Sequence, residues 1–327
     1  EVSTCAYVVR SDGTSYNDWL PNLNLAFDLG HDQKLRLGAG KQISRPDLDN
    51  LKDSLDFQVQ SATAQQPALT GNAGNPKLKP YAARSVDVSY EKYFGNHGYV
   101  SAAVFYKKLD NYIINAPRVF DFAPYTSATT PLPTTGPYAG STIGFLTQPT
   151  NGAGGSLHGF ELSVNLPFAL IARPLDGFGI AAAWSVSQSS VKLPTSGFVT
   201  PENGPVFKDS VSTIGLPGLS KDVGSIRVYY EAHGLQVAWA AHKRSAFIGQ
   251  ILDYRADSQF TFIKTETISD LQVSYEFQDG WLKGLSGLFQ AHNLTNAPFQ
   301  EYTSDPNIVT NSVKYGKTYT AGITYKF

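Results

Sequence analysis

The chain has 327 residues, of which 42% are hydrophobic and 13% aromatic but only 16% charged, and its formal net charge is −1. This charge balance argues against a nucleic-acid-binding protein, because the phosphate backbone requires clustered Lys and Arg on its partner. The charged fraction lies below the roughly 25% of ordinary soluble domains, while Tyr and Phe are plentiful, so aromatic side chains provide much of the apolar surface.

The sequence offers neither a membrane-spanning helix nor a cysteine framework. No apolar run approaches the roughly 20 residues that such a helix needs, and the closest candidate, residues 166–175, is interrupted by Arg173 and two prolines. The chain has no Met and does not start with a secretory leader, so we interpret it as a processed chain or a fragment. Its single cysteine, Cys5, is either a free thiol or the partner of a cysteine outside this segment.

Strict two-residue alternation of apolar and polar residues is the main secondary-structure signal. In the first segment Leu23, Leu25 and Phe27 alternate with Asn24 and Ala26. The same alternation recurs at residues 86–91, 159–166, 226–231, 235–239, 271–277 and 320–327. A period of two indicates strands whose two faces meet different surroundings.

From residue 19 onward this pattern predicts about eleven strands, each near the roughly 9–11 residues that cross a bilayer when tilted. The predicted strands cover residues 19–29, 34–45, 84–94, 99–115, 158–168, 178–189, 223–232, 235–247, 262–278, 285–296 and 316–327. An open sheet with free edges would leave unpaired backbone groups in lipid, each costing several kcal/mol. We therefore expect further strands, upstream of this sequence, to complete a barrel.

The connections between these strands alternate in length. Short turns are predicted at residues 30–33, 95–98, 169–177, 233–234 and 279–284, and long connections at 46–83, 116–157, 190–222, 248–261 and 297–315. Short periplasmic turns opposite long extracellular loops are typical of outer-membrane barrels, whereas a soluble sandwich has no reason for them. The pattern predicts an all-β, antiparallel transmembrane barrel with alternate side chains toward lipid.

Aromatic residues gather near the short turns, where the girdle of a membrane barrel meets the interface. The candidates are Tyr93, Phe94, Tyr99, Phe168, Phe178, Phe277, Trp281 and Phe327. Core packing in a soluble sandwich is the alternative interpretation. We favour the girdle because these aromatics follow one end of the strands rather than their middles.

Six short motifs, in register with the predicted strands, resemble the barrel of TonB-dependent receptors. They are residues 20–25 (LPNLNL), 41–48 (KQISRPDL), 74–81 (GNPKLKPY), 159–163 (GFELS), 291–296 (AHNLTN) and 325–327 (YKF). The resemblance covers nearly the whole chain and implies a barrel of about 22 strands around an N-terminal plug. Residues 1–327 would then form the C-terminal part of the barrel, while the plug, the first strands and the segment that binds TonB lie outside the sequence.

The resemblance also implies a function: TonB-dependent active transport of a nutrient across the bacterial outer membrane. The implied partners are outer-membrane lipid, the plug, the TonB complex and a small-molecule solute, with no cofactor. The order of motifs most resembles a group linked to carbohydrate uptake, although ferric-siderophore receptors share much of it. A passive porin-type channel and a secreted soluble β-rich protein are the remaining alternatives.

The long connection after residue 115 is the best candidate for solute binding. Its candidate ligand-binding residues are Arg118, Phe120, Phe122, Tyr125, Tyr138 and Phe145. Aromatic faces in a nearly neutral setting suit stacking on sugar rings or on an aromatic chelator, and the scarcity of cations favours sugar. Alternatively, these side chains pack the loop upon itself, since a loop this long must bury something to be ordered.

A second set of polar and charged residues occupies alternate positions within the predicted strands. We expect these side chains to point into the barrel. The set consists of Arg36, Glu161, Arg227, Glu231 and Glu276. These side chains either line a solute path or contact the plug, and plug contact is the favoured interpretation.

Signals of catalysis or metal binding are weak throughout the chain. The six histidines include no pair at the i, i+4 spacing of a helical zinc site. Residues 316–318 (GKT) lack the opening glycine of a phosphate-binding loop, and residues 154–158 (GGSLH) lack the closing glycine of a nucleophile elbow. We therefore predict no catalytic residue, no metal ligand and no enzymatic activity.

Overall fold

The computed structural model describes residues 12–60, 68–95, 98–135, 138–199, 206–254 and 257–326, so Cys5 and Phe327 lie outside it. The described residues are almost entirely strands and loops. The strands are β1 (Asn22–Gly30), β2 (Gln33–Ser44), β3 (Leu55–Val59), β4 (Leu69–Ala73), β5 (Tyr81–Phe94), β6 (Gly98–Asp121), β7 (Ile143–Gly152), β8 (Gly155–Pro167), β9 (Phe178–Val199), β10 (Val206–Ile214), β11 (Asp222–Ala232), β12 (Leu235–Arg244), β13 (Phe247–Tyr254), β14 (Asp257–Ile263), β15 (Glu266–Glu276), β16 (Leu285–His292), β17 (Phe299–Tyr302), β18 (Val309–Val313) and β19 (Thr318–Tyr325).

Helical structure in these residues is limited to four single turns of 3₁₀ helix. They are Leu48–Leu51, Ala123–Tyr125, Phe168–Leu170 and Arg173–Leu175. None of the helices in the described ranges is long and apolar enough to cross a membrane.

Eleven strands form one antiparallel meander, in the order β1-β2-β5-β6-β8-β9-β11-β12-β15-β16-β19. Each corresponds to one of the eleven strands predicted from the alternation, so the predicted all-β architecture is confirmed. Two strands are much longer than predicted: β6 has 24 residues and β9 has 22. Their extra length continues into the long connections, where β6 pairs with β7 and β9 pairs with β10.

The remaining strands belong to the long connections, which all lie at one end of the meander. We call this end the long-loop end. The β3–β4 hairpin belongs to the connection that joins β2 to β5 along the chain, and β4 pairs in parallel with β7. Strands β13, β14, β17 and β18 form a separate four-stranded sheet. The opposite, short-turn end has tight connections, such as His31–Asp32 (φ 52° and 59°) and His233–Gly234 (φ 53° and 79°). Positive φ at both central residues is typical of the turns that join twisted hairpins.

The register keeps apolar side chains on one face across the whole meander. Leu37 pairs with Leu25 and Val88, and Val88 pairs in turn with Val104, which pairs with Phe160. We call this side the apolar face and the opposite side the polar face. Paired residues of antiparallel strands point the same way, so the alternation read from separate segments becomes a continuous surface.

The apolar face is open and has no second layer packed on it. Leu23 is 56% exposed, Val104 55% and Ile323 81%, and Val164 is partly exposed. A soluble sandwich would bury these side chains in a dry interior. Exposed apolar residues on strands, facing away from a polar side, are the arrangement of a lipid-facing barrel wall.

Buried apolar residues lie instead in the folded connections at the long-loop end. One cluster consists of Leu69, Phe122 and Leu146, and a second is formed by Ile114 and Leu193. The long connections therefore fold into layers with small cores of their own. These layers lie beyond the end of the meander at which the long connections emerge.

The predicted aromatic girdle needs one correction. Phe94 is four residues after Tyr90 on β5 and therefore shares its apolar face. Phe178 pairs with Tyr230, which is also on the apolar face. Tyr99 pairs with Tyr93 and with a polar residue of β8, and the Tyr93 hydroxyl donates to Glu91 at 2.7 Å. Tyr93 and Tyr99 therefore project from the polar face. Residue parity along the strand, rather than distance from the turn, decides the side.

Candidate functional site

Three of the six predicted ligand-binding residues line one pocket at the long-loop end. The pocket has a volume of about 460 Å³ and lies between the β3–β4 hairpin and the extensions of β6 and β7. Its lining consists of Asp53, Ser54, Leu55, Ala73, Gly74, Arg118, Phe120, Tyr125, Leu146 and Gln148. We call it the loop pocket.

Arg118, Phe120 and Tyr125 form a continuous stack along this pocket. The Arg118 guanidinium lies over the Phe120 ring at 5.4 Å and donates a hydrogen bond to Gln148 Oε1 at 2.7 Å. The Phe120 and Tyr125 ring centroids are 6.0 Å apart. Desolvation lowers the pKa of Arg118, although its side chain reaches solvent, and a guanidinium remains charged at neutral pH. The stack therefore presents a fixed cation beside two aromatic faces.

The turn after β6 places Tyr125 in the pocket. The Asp121 carboxylate accepts hydrogen bonds from the Ala123 backbone N–H at 2.9 Å and from the Thr142 hydroxyl at 2.8 Å. These two donors lower the pKa of Asp121. The carboxylate thus ties the end of β6, the start of β7 and the 3₁₀ turn that carries Tyr125 to one another.

Phe122, Tyr138 and Phe145 do not line the loop pocket, which corrects their predicted role as ligand contacts. They are only 0%, 2% and 5% exposed. The Phe122 ring packs against Phe57 at 5.4 Å and against Phe120 at 4.9 Å. Burial raises the pKa of Tyr138 to about 12. The alternative interpretation, in which the loop aromatics pack upon each other, therefore applies to these three.

The support beneath the loop pocket depends on a close approach between β4 and β7. Their parallel pairing joins Thr70 with Phe145 and Gly71 with Leu146. A Cβ at Gly144 would lie 2.1 Å from the Leu69 carbonyl oxygen, so only glycine allows the two backbones to come this close.

All five predicted inward-pointing residues project from the polar face. Arg36 and Glu161 belong to one row of paired residues that crosses from β2 to β8, and Arg227, Glu231 and Glu276 occupy equivalent positions on β11 and β15. Arg36 Nε lies 2.9 Å from Glu91 Oε1, and Glu231 accepts from the side-chain amide of Gln236 at 2.7 Å.

The short-turn end of the polar face contains a cavity of about 440 Å³. Glu231 and Glu276 contribute its two carboxylates. Its other polar lining residues include Gln236, Ser274, Ser286 and Thr324. The structure thus brings together two of the five predicted polar residues and places the other three elsewhere on the same face.

A second pocket at the long-loop end, of about 570 Å³, was not predicted from the sequence. It lies between the middle of β9, the β10–β11 connection and the four-stranded sheet, with Phe247, Phe262 and Tyr302 in its lining. The Phe262 and Tyr302 rings are stacked at 5.2 Å. These residues are far apart in sequence and follow no local motif, so nothing in the sequence groups them. Within the described residues, no three His, Cys, Asp or Glu side chains gather as a metal-binding group.

Several solved structures that are similar to this chain are named as receptors. A variant of the ferric enterobactin receptor (PfeA) of Pseudomonas aeruginosa matches with a TM-score of 0.63 and 18% identity, over 95% of this chain and 40% of that one. The siderophore receptor PirA of Acinetobacter baumannii matches with 0.63 and 16%, over 95% and 41%. The siderophore receptor PiuA of the same organism matches with 0.56 and 14%, over 94% and 35%. At these identities the likeness shows the fold alone.

This chain spans about 40% of the length of the first of these structures. No curated protein matches it in sequence. The family model described as "TonB dependent receptor-like, beta-barrel" matches residues 4–297, which is most of the chain. The family description and the names of these structures denote receptors rather than enzymes. The eleven-stranded meander with its apolar face is consistent with this sequence match. The chain therefore belongs to the TonB-dependent receptor β-barrel family.

Proposed function

We propose that this chain is the C-terminal part of a bacterial outer-membrane barrel that imports a ferric siderophore with energy from TonB. The loop pocket supports this proposal most directly, because it places Arg118 between a hydrogen-bonding amide and two aromatic rings at the long-loop end. In this orientation the long loops face the cell exterior and the short turns face the periplasm.

The open edges of the meander support a larger barrel. Among the described residues, strands β1 and β19 each have a neighbour on one side only. In lipid, unpaired backbone groups along such edges would cost several kcal/mol each, so further strands must complete the wall. We place them, together with the plug and the TonB-binding segment, in the rest of a longer protein.

The ligand class differs from the initial preference for carbohydrate. That preference depended on the order of the motifs and on the scarcity of cations among the loop aromatics, three of which are buried. What remains exposed is a cation stacked on aromatic rings, which suits an anionic aromatic chelate better than a neutral sugar. The similar structures are named as ferric enterobactin and siderophore receptors, whereas none of them is named as a carbohydrate transporter.

In the proposed mechanism the loop pocket captures the chelate, and a TonB-driven movement of the plug opens a path along the polar face. Arg36, Glu161, Arg227, Glu231 and Glu276 then contact the plug or the passing solute. No covalent chemistry is required, so the protein acts as a transporter rather than an enzyme.

Ligand binding to the full-length receptor in detergent tests the proposal. We expect quenching of intrinsic fluorescence by a ferric catecholate and no response to a neutral oligosaccharide. Arg118→Ala should weaken chelate binding at least tenfold, whereas Arg173→Ala, at the short-turn end, should leave it unchanged. Binding of the oligosaccharide without the chelate, or ion conductance through the receptor without TonB, would contradict the proposal.

A further inference from the structure

The apolar face carries a groove that the proposed transport function does not use. It has a volume of about 540 Å³ and crosses β6, β8, β9, β11 and β12. Its outward-pointing lining consists of Val100, Ala102, Leu162, Val164, Ala182, Trp184, Gly224, Ile226 and Lys243. All but the last are apolar.

Small residues form the floor of this groove because the register aligns them. One row of paired residues runs through Ala102, Leu162, Trp184 and Gly224 to Lys243. The neighbouring row, toward the short-turn end, contains Ala182 between Val164 and Ile226. Ala102, Ala182 and Gly224 leave a depression between the larger side chains of Leu162, Val164, Trp184 and Ile226.

Trp184 forms a fixed wall of the groove. Its indole N–H donates to Asp222 Oδ2 at 3.0 Å, and its ring meets Phe160 edge-on at 5.1 Å. Both partners lie on the long-loop side of Trp184 along their strands. The indole is therefore held toward the long-loop end and does not fill the space over Ala182.

Lys243 lies at the long-loop end of the groove and supplies its only charge. Its side chain is exposed and has no ion pair among the described residues. The neighbouring Arg244 points to the polar face, where it pairs with Glu266 at 2.7 Å. Asp222 accepts a hydrogen bond from the indole of Trp184 and forms no ion pair with Lys243 among the described residues. A single cation is thus available at one end of an apolar channel.

We propose that the groove binds an acyl chain of an anionic, phosphate-bearing lipid, whose phosphate contacts Lys243. The inference rests on the membrane orientation proposed above. Five strands spaced about 4.8 Å apart give the groove a length of about 19 Å across the strands. With strands tilted by about 45°, the groove rises about 13 Å along the bilayer normal, close to half of a hydrocarbon core about 30 Å thick. A flexible lysine at this position extends its ammonium group to the interface, where lipid phosphates lie.

Native mass spectrometry of the full-length receptor tests the proposal with two phospholipids that have identical acyl chains. The probes are phosphatidylglycerol, which is anionic, and phosphatidylcholine, which is zwitterionic. We expect the unaltered receptor to retain phosphatidylglycerol in preference. Gly224→Leu should reduce retention of both lipids at least fivefold, because a Cβ there meets no atom closer than 3.9 Å and the new side chain fills the groove without moving the backbone.

Lys243→Gln should abolish the preference for the anionic lipid while leaving the retention of phosphatidylcholine unchanged. The matched controls are Gly287→Leu and Lys108→Gln. Gly287 lies on the apolar face with open space around its Cβ position, and Lys108 is an exposed cation of the same face away from the groove. Both controls should behave like the unaltered receptor.

Equal losses in the groove variants and their controls would overturn the proposal, and so would a receptor dimer that dissociates in Gly224→Leu, because a second copy would then occupy the groove. Chelate binding by the same variants separates this inference from the transport function. Intact chelate binding without selective lipid retention contradicts only the lipid site. A receptor that fails to insert in lipid at all contradicts the membrane placement.

Discussion

A charge placed on the apolar face gives the sharpest test of the orientation of the whole meander. Val104 lies in the middle of the exposed part of β6, pairs with Val88 and Phe160, and is 55% exposed. Its packing contribution is small because half of its surface has no protein neighbour. The effect of Val104→Arg therefore comes almost entirely from moving a guanidinium into hydrocarbon, which costs about 2–4 kcal/mol near the bilayer midplane.

That cost corresponds to a change of about 30- to 900-fold in the folding equilibrium. The neighbouring Ala103 supplies the matched control, because it projects from the polar face and pairs with Ser89 and Glu161. Ala103→Arg gains a nearby carboxylate and should cost less than about 1 kcal/mol. Val104→Ala separates the loss of packing from the introduction of charge.

Reversible unfolding of the full-length receptor by urea, in lipid vesicles, measures all three variants. The expected order of destabilisation is Val104→Arg far above Val104→Ala and Ala103→Arg. Equal destabilisation by the two arginines would refute the assignment of lipid to the apolar face. A larger effect at Ala103 would refute it as well, since the faces would then be reversed.

Three further predictions concern buried or tightly packed residues of β7 and of the connection that joins it to β6. Phe122→Ala should cost about 3–5 kcal/mol, because it empties a fully buried site, and hydrogen exchange should rise in β4 and β7 while the meander stays protected. Gly144→Ala should disrupt the β4–β7 pairing through a clash with Leu69 and weaken chelate binding, whereas Gly287→Ala, with open space at its Cβ, should not. Burial raises the pKa of Tyr138 to about 12, so above pH 10 the phenol ionises in the unfolded chain before it ionises in the folded one. The contribution of Tyr138 to the free energy of unfolding should therefore stay constant below pH 10 and fall as the pH rises toward 12. Measured unfolding of Tyr138→Phe should lack this fall.

The strands and their two faces could be predicted from the sequence because a strand repeats every two residues. Leu23, Leu25 and Phe27 share a face whatever lies next to them, so local alternation was sufficient to identify all eleven strands of the meander. The same parity would have placed Tyr93 and Tyr99 on the polar face. The girdle prediction failed for these two residues because it used distance from the turn instead.

The fate of the loop aromatics could not be predicted in this way. Phe122 and Phe145 are buried because β4 pairs in parallel with β7, which joins residues about 75 positions apart. A loop has no fixed period, so an aromatic that binds solute and one that packs a core look alike in sequence. Phe122 and Phe145 became core residues through contacts with β3 and β4, which are distant in sequence.

Local periodicity thus determined the fold class, the number of strands in the meander and the side on which each alternating residue lies. The tertiary structure decided which loop residues form a pocket, and which small residues meet across five strands to form the groove beside Trp184. The physical reason is that side-chain direction follows from the backbone repeat within one strand. The depth and the lining of a site depend instead on the register between strands, which only the assembled sheet specifies.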